Sequence, residues 1–321
     1  MASTYTDPAS LAPERTRLTD ISSLIGPQSR RRKERAIRWT LLAAAAISIL
    51  ITIGIIYSVF EGAVLFLMDV DFGELWTVGW FPRRGMFDLK TLVVGSLLVT
   101  LIAMVVAGPC GLGAAIYLSE YASARTRRIL KPVLEVLAGI PSVVLGFFAL
   151  TFVSPEVVKR LWPGSATFNL LAAGIGVGIL VIPIVATLAE DSLRAVPKSL
   201  RDASYGIGSR KVTTTLRVVV PAAVSGLVAS MIVAFSRAIG ETMVVAIAAG
   251  AVGGSLFSVD VAQPGQTMTA AMASLAIGTD QVKGSDAAFQ SLFFVGLLLF
   301  LITFALNLLG ERFVRRVRTR Y

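Results

Sequence analysis

Arg237 and Glu241 stand four residues apart in Phe235-Ser236-Arg237-Ala238-Ile239-Gly240-Glu241-Thr242, inside one of the most apolar stretches of the chain. At that spacing two side chains share one face of an α-helix. A charge at the centre of a membrane-crossing helix costs roughly 2.5–3.5 kcal/mol on the insertion scale, so the pair must face protein or a polar path rather than lipid. Two uses suit it. One is a self-satisfied ion pair that locks helix packing. In the other, Arg237, whose planar fork fits a tetrahedral oxyanion, binds an anion in transit while Glu241 holds the guanidinium between passages. Arg before Glu is the weaker order for a helical ion pair, which favours the second use. Counted from Pro221, Arg237 lies about 24 Å along a helix, at or beyond the midplane towards the outside.

Other chemistries are excluded by residue type. The chain has no His, which removes His-based metal sites, Ser/His/Asp triads and His proton relays. The single Cys110 cannot form an intrachain disulfide and is expected to be a small core residue. No carboxylates or thiols cluster in the apolar runs, so a membrane-embedded enzyme has no equipment here. We expect no catalytic residue, no metal and no cofactor in this chain.

A second constellation is polar and basic yet lies between two very apolar runs: Arg201 to Pro221, RDASYGIGSRKVTTTLRVVVP. Pro197 followed by Lys198-Ser199-Leu200-Arg201-Asp202 reads as a helix start, and Gly206 and Gly208 permit a sharp turn before a second helix leading into Pro221. A basic amphipathic segment resting on lipid headgroups is the competing reading. It gives no reason for Gly and Pro at these offsets.

The elements around these residues follow from hydropathy. Of the 321 residues 55% are hydrophobic and 16% charged, the balance of a polytopic membrane protein. Six runs reach bilayer length: Trp39–Met68, Thr91–Leu118, Val133–Val153, Phe168–Ala189, Pro221–Ala249 and Phe289–Leu309. The first is too long for a signal peptide and is read as an uncleaved helix. The net charge of +10 sits in short blocks beside these runs rather than in a nucleic-acid-binding patch. Lys and Arg number eight in the N-terminal tail, four in Ala122–Pro132, six in Arg194–Arg217 and five from Glu311 onward, against three, two and one in the alternate connections. The positive-inside rule therefore places both termini and the Arg201–Pro221 segment in the cytoplasm. The expected organisation is a cytoplasmic tail over 1–38, a first transmembrane helix over 39–68 and an extracytoplasmic connection over 69–90. A transmembrane domain follows over 91–310, with its loop at 194–221, and then a basic cytoplasmic tail over 311–321.

Punctuation inside the runs marks further candidates. Gly108-Pro109-Cys110-Gly111 and Gly139-Ile140-Pro141-Ser142 each place a proline, which removes a helical donor and kinks the axis, in a membrane run. Pro109, Pro141 and Ser142 either border a translocation path or serve close packing by small residues. Gly174-Ile175-Gly176-Val177-Gly178 is read as packing. Gln263-Pro264-Gly265-Gln266-Thr267-Met268-Thr269 opens a mildly apolar stretch over 268–277 that is too short to span, and a re-entrant segment and an ordinary outer loop both satisfy it.

The skeleton Asp202-Ala203-Ser204, three residues, Gly208, nine residues, Val218, one residue, Val220, Pro221 resembles the coupling (EAA) loop of importer-type ABC permeases: Glu-Ala-Ala, three residues, Gly, nine residues, Ile, any residue, Leu, Pro. Together with Gly139–Phe148, Ser236–Thr242 and Pro264–Thr269, it makes residues 40–315 resemble a permease of the phosphate-specific (Pst) ABC importers, PstC type. That resemblance implies an all-α integral membrane protein with six transmembrane helices and the type I importer permease fold, in the cell inner membrane. It implies phosphate as the substrate, Arg237 and Glu241 in its pathway, and Asp202, Ala203, Ser204, Gly208 and Pro221 in ATPase coupling. It also implies a heterodimer with a PstA-type permease, two ATPase subunits that bind ATP and Mg, and an extracytoplasmic phosphate-binding protein. No P-loop occurs in this chain, which agrees with ATP being hydrolysed by another. Asp202 and Ser204 depart from the family's Glu and second Ala while keeping an acid and a small residue.

Two alternatives stay open. The same class of importer can carry another oxyanion, such as sulfate or molybdate. A secondary transporter or channel, with Arg237 and Glu241 coupled to protons or gating passively, would need no ATPase.

Overall fold

The computed structural model describes residues 28–250, 254–277 and 286–317. Most of the cytoplasmic tail expected over 1–38 and the last residues of the basic tail lie outside the described residues. The chain divides into two units after Tyr57. Helix α1, Gln28–Asp69, runs through that division. Within the first unit the side chains of residues 33–57 are exposed, as suits a helix whose surroundings are lipid.

In the second unit a short antiparallel sheet leads into the helical body. Its strands are β1 (Gly79–Phe81), β2 (Met86–Phe87) and, from a later connection, β3 (Ser255–Leu256), in the order β2-β1-β3. The helices are α2 (Leu89–Tyr121), α3 (Ala124–Ala138), α4 (Ser142–Leu161), α5 (Leu170–Arg194), α6 (Lys198–Gly206), α7 (Lys211–Ile239), α8 (Met243–Ala248), α9 (Met268–Ala276) and α10 (Asp286–Val317). Six helices are long and apolar enough to cross a membrane: α1, α2, α4, α5, α7 and α10.

Two boundaries differ from the sequence expectation, and each has a local cause. The run Val133–Val153 is not one helix. Pro141 lacks the N–H that would continue a helix, so the chain stops at Ala138 and restarts with Pro141 as the N-cap of α4. Pro141 therefore begins a membrane helix rather than kinking one, and Val133 belongs to a separate amphipathic helix. The run Pro221–Ala249 is likewise divided, at Gly240–Thr242, and its helix begins ten positions earlier at Lys211. Pro221 consequently lies inside α7, just beyond a widened turn at Thr215–Val219, and Pro155 falls in a similar widened stretch of α4. Such turns accommodate the hydrogen bond that proline cannot make. Pro109 stays within α2.

Helices cannot be driven together in lipid by the hydrophobic effect, so close packing of small residues has to hold them. The glycine repeat of α5 does this on two sides. A Cβ at Gly174 or Gly178 would come within 2.6 Å of Ile102 or 2.8 Å of Val106 on α2, while one at Gly176 would meet Ala149 of α4 at 2.9 Å. α5 is thus the central helix, its Val177 and Val181 buried together with Val99, Ala103, Ala234 and Val244 of its neighbours. Towards the sheet, Phe66 packs edge-on against Phe87 at 5.0 Å and stacks on Phe294 at 5.1 Å, joining α1's end, β2 and α10. At the opposite end Ala115, Leu193, Val196 and Val219 form a small apolar floor beneath α6. Cys110, expected in the core, is exposed on the helical body, a position for lipid or a partner chain.

Candidate functional site

The break at Gly240–Thr242 creates the site. α7 ends at Ile239 with Arg237 in its last turn, where a cation is favoured by the exposed carbonyls of the helix end. Glu241 follows outside the regular helix, and its carboxylate meets the Arg237 guanidinium at 2.7 Å. The partners differ in exposure: Glu241 is 3% exposed and Arg237 45%. One face of the guanidinium is therefore held by a buried counter-charge while the other is accessible. The neighbouring Ser236 hydroxyl donates to the side-chain oxygen of Asn307 on α10 at 2.9 Å.

The Gln266–Thr269 segment closes on this break. The Thr269 hydroxyl donates to the main-chain carbonyl of Glu241 at 2.8 Å, supplying a partner that an interrupted helix has lost. Thr267 caps α9 by accepting from the Ala270 N–H, and Ser96 of α2 accepts from the Met268 N–H at 2.9 Å. Gln266, Thr267 and Thr269 are all buried. Gly95 makes the approach possible, because a Cβ there would lie 2.3 Å from the Gln266 carbonyl oxygen. The 268–277 stretch is a nine-residue helix, buried at Met268–Ala271 and Leu275, followed by the exposed Ile277, and it packs against α2, α8 and α10. The sequence marks Arg237/Glu241 by their helical spacing and Gln263–Thr269 by its polarity, without joining the two. Ser96 and Asn307 were not singled out, since a lone hydroxyl or amide in an apolar run carries no periodic signal.

At the other end of α7 lies the loop. α6 ends in a turn at Gly208, whose φ of 80° is a conformation that glycine alone adopts freely. Ser204 is buried and its hydroxyl shares a 2.9 Å hydrogen bond with that of Thr214, tying α6 to the start of α7. Asp202 and Ala203 are exposed, as are Tyr205 and Ile207. The loop is fastened below by Arg201, which donates to Glu120 of α2 at 2.8 Å and to the carbonyls of Leu193 and Val196 at 2.9 and 2.6 Å. Glu120 is a contact that the loop's own sequence could not reveal, being 81 positions away. Pro221 lies beyond these contacts inside α7, and Pro109 is exposed on α2. Pro141 and Ser142 are exposed and intermediate at the head of α4, with neither in contact with the Arg237 site through any hydrogen bond among the described residues.

Residues 107–319 match the profile of the family described as the binding-protein-dependent transport system inner membrane component. The chain belongs to that family. This inner membrane component is 30% identical over 296 residues to the phosphate transport system permease protein PstC of Mesorhizobium japonicum, covering 86% of this chain and 89% of that one. It is 33% identical over 257 residues to PstC 1 of Mycobacterium tuberculosis, covering 74% and 75%. Among solved structures it shares the fold of a chain from a bacterial alginate ABC transporter in complex with an alginate pentasaccharide-bound periplasmic protein. The TM-score is 0.63 at 13% identity, over 89% of this chain and 98% of that one. The inner membrane component is thus a multi-pass helical permease of the importer type, and the expectation of a Pst-like permease fold agrees with its relatives.

Proposed function

We propose that this chain is the membrane-spanning permease subunit of an ATP-driven importer of inorganic phosphate. The observation that carries the reading is the half-exposed Arg237 backed by the buried Glu241 at a helix break. A guanidinium presented this way offers two parallel N–H donors to a tetrahedral oxyanion, in surroundings where a charge-assisted bond is stronger than in water. The PstC relatives support phosphate as that anion. Phosphate displaces the Glu241 carboxylate from Arg237, crosses, and leaves the pair to re-form.

ATP and Mg are bound by two partner ATPase subunits, which push on the exposed Asp202–Gly208 surface, and a homologous PstA-type permease completes the path. An extracytoplasmic phosphate-binding protein delivers the cargo. Both termini face the cytoplasm, following the distribution of Lys and Arg.

The experiment is co-purification of the chain with its ATPase, then phosphate-dependent ATP hydrolysis and uptake in liposomes, with sulfate and molybdate as competitors. Recovery without any ATPase, or uptake without ATP, overturns the importer reading. Equal competition by sulfate overturns phosphate as the cargo.

A further inference from the structure

α3 has the composition of a helix that lies along a membrane surface. It is joined to the end of α2 by two residues and to the start of α4 by three, so a helix of fifteen residues cannot leave the boundary that those two spans cross. Ile129, Val133, Val136 and Leu137 fall at helical spacing on one side and are 61%, 49%, 71% and 37% exposed. Arg127 and Lys131 lie on the opposite side, and Arg128 stands on the flank between the two.

Along that flank a cleft of about 400 Å³ opens between α3 and the end of α5, lined by Arg127, Arg128, Lys131, Pro132, Glu135 and Arg194, with Ala124 at its end. Beneath it Glu190 is fully buried, with Arg127, Lys131 and Arg194 at 3.5, 3.7 and 3.6 Å from its carboxylate. None of these approaches is a hydrogen bond, and both carboxylate oxygens lack one. Lys131 also reaches Asp191 at 3.7 Å. Arg127 spends its guanidinium on the carbonyls of Leu118 and Ser119. The end groups of Arg128, Lys131 and Arg194 make no hydrogen bond among the described residues. Arg127, Arg128, Lys131 and Arg194 against Glu135, Glu190 and Asp191 leave one unit of positive charge, the complement of a singly charged phosphodiester.

We propose that this cleft binds the headgroup phosphodiester of an anionic glycerophospholipid, with the acyl chains lying along the Ile129–Val133–Val136–Leu137 stripe. The stripe decides the source of the anion. Free phosphate has no use for an apolar stripe on the helix that borders the cleft, whereas a lipid uses both. The occupied cleft holds α3 against α5 close to Arg201 and Glu120, so lipid composition would influence the loop.

The test uses the purified full chain and its complex in neutral detergent, probed with dihexanoylphosphatidylglycerol, dihexanoylphosphatidylcholine and inorganic phosphate by native mass spectrometry and by melting temperature. Saturable binding of the phosphatidylglycerol is expected, weakened by added salt and by roughly fivefold in Arg128→Gln, an exposed residue with no ion pair among the described residues, whose loss leaves folding intact. Ile129→Ser/Val133→Ser should weaken it also, while sparing any binding of inorganic phosphate. The proposal is overturned by equal binding of the two lipids, by unchanged binding in Arg128→Gln, by inorganic phosphate displacing the lipid, or by the stripe being shielded by a partner permease in the complex.

Discussion

The hydroxyl of Thr269 reaches across 28 positions of sequence to the main-chain carbonyl of Glu241, at 2.8 Å. One residue of the ion pair is thereby positioned from α9, an element outside the helix that carries Arg237. Replacing Thr269 by Val removes the donor and leaves a buried carbonyl unpartnered, at a cost of about 1–3 kcal/mol. Phosphate uptake is expected to fall by tenfold or more in Thr269→Val and to recover substantially in Thr269→Ser, measured as initial uptake rates at matched membrane abundance.

Arg237→Gln takes away the half-exposed cation and leaves the Glu241 carboxylate buried alone, a loss of about 3–5 kcal/mol where a pair is broken on one side. Uptake should be abolished, and the chain should melt lower. Arg237→Gln combined with Glu241→Gln restores the melting temperature without restoring uptake. Wild-type uptake by the folded single variant, with ATP hydrolysis intact, would exclude Arg237 from the path.

Gly208 has φ at 80°, so a β-branched residue there is strained by about 1–2 kcal/mol. Gly208→Val should assemble with its partners yet hydrolyse ATP with less uptake per ATP. A Gly208→Asn variant, better able to adopt a left-handed conformation, should lie between it and wild type. The readout is the ratio of transport to hydrolysis in liposomes.

Arg201 and Glu120 form a mostly buried bond that binds the loop to α2. Glu120→Gln leaves the guanidinium short of its counter-charge, and proteolysis at the exposed Tyr205–Gly208 turn is expected to quicken several-fold. The charge reversal Glu120→Arg/Arg201→Glu should restore protection in part. Equal cleavage rates in all variants would show that the Glu120 carboxylate does not hold the loop.

Much of this was legible in the chain itself, for a physical reason. Apolar runs, prolines and glycines act locally, so the number of spanning helices, the turn at Gly208 and the role of the Gly174–Gly178 repeat could be read directly. Val133, Val136 and Leu137 misled because hydropathy summed along the run does not separate an amphipathic stripe from a membrane span when only Gly139–Pro141 stands between them. The second helix expected to lead into Pro221 and the run beginning at Pro221 are one element, α7, and hydropathy alone does not mark the break at Gly240–Thr242 because apolar residues continue on both sides of it. The contacts of Thr269 with Glu241, Ser96 with Met268 and Arg201 with Glu120 were out of reach. They join residues far apart in sequence through single polar atoms, and nothing in spacing records which hydroxyl faces which carbonyl.

α7 runs for 29 residues from Lys211 to Ile239, regular α-helix from Val220 onward after the widened turn at Thr215–Val219. Loop and site are thus held in helical phase. Each residue inserted between Val220 and Ser236 would turn Arg237 and Glu241 together by about 100° relative to the loop and advance them by about 1.5 Å, carrying Ser236 and Glu241 away from Asn307 of α10 and Thr269 of α9. Length between those two points is as constrained as residue type, whereas an added residue near Ile207, before the helix begins, changes no phase at all.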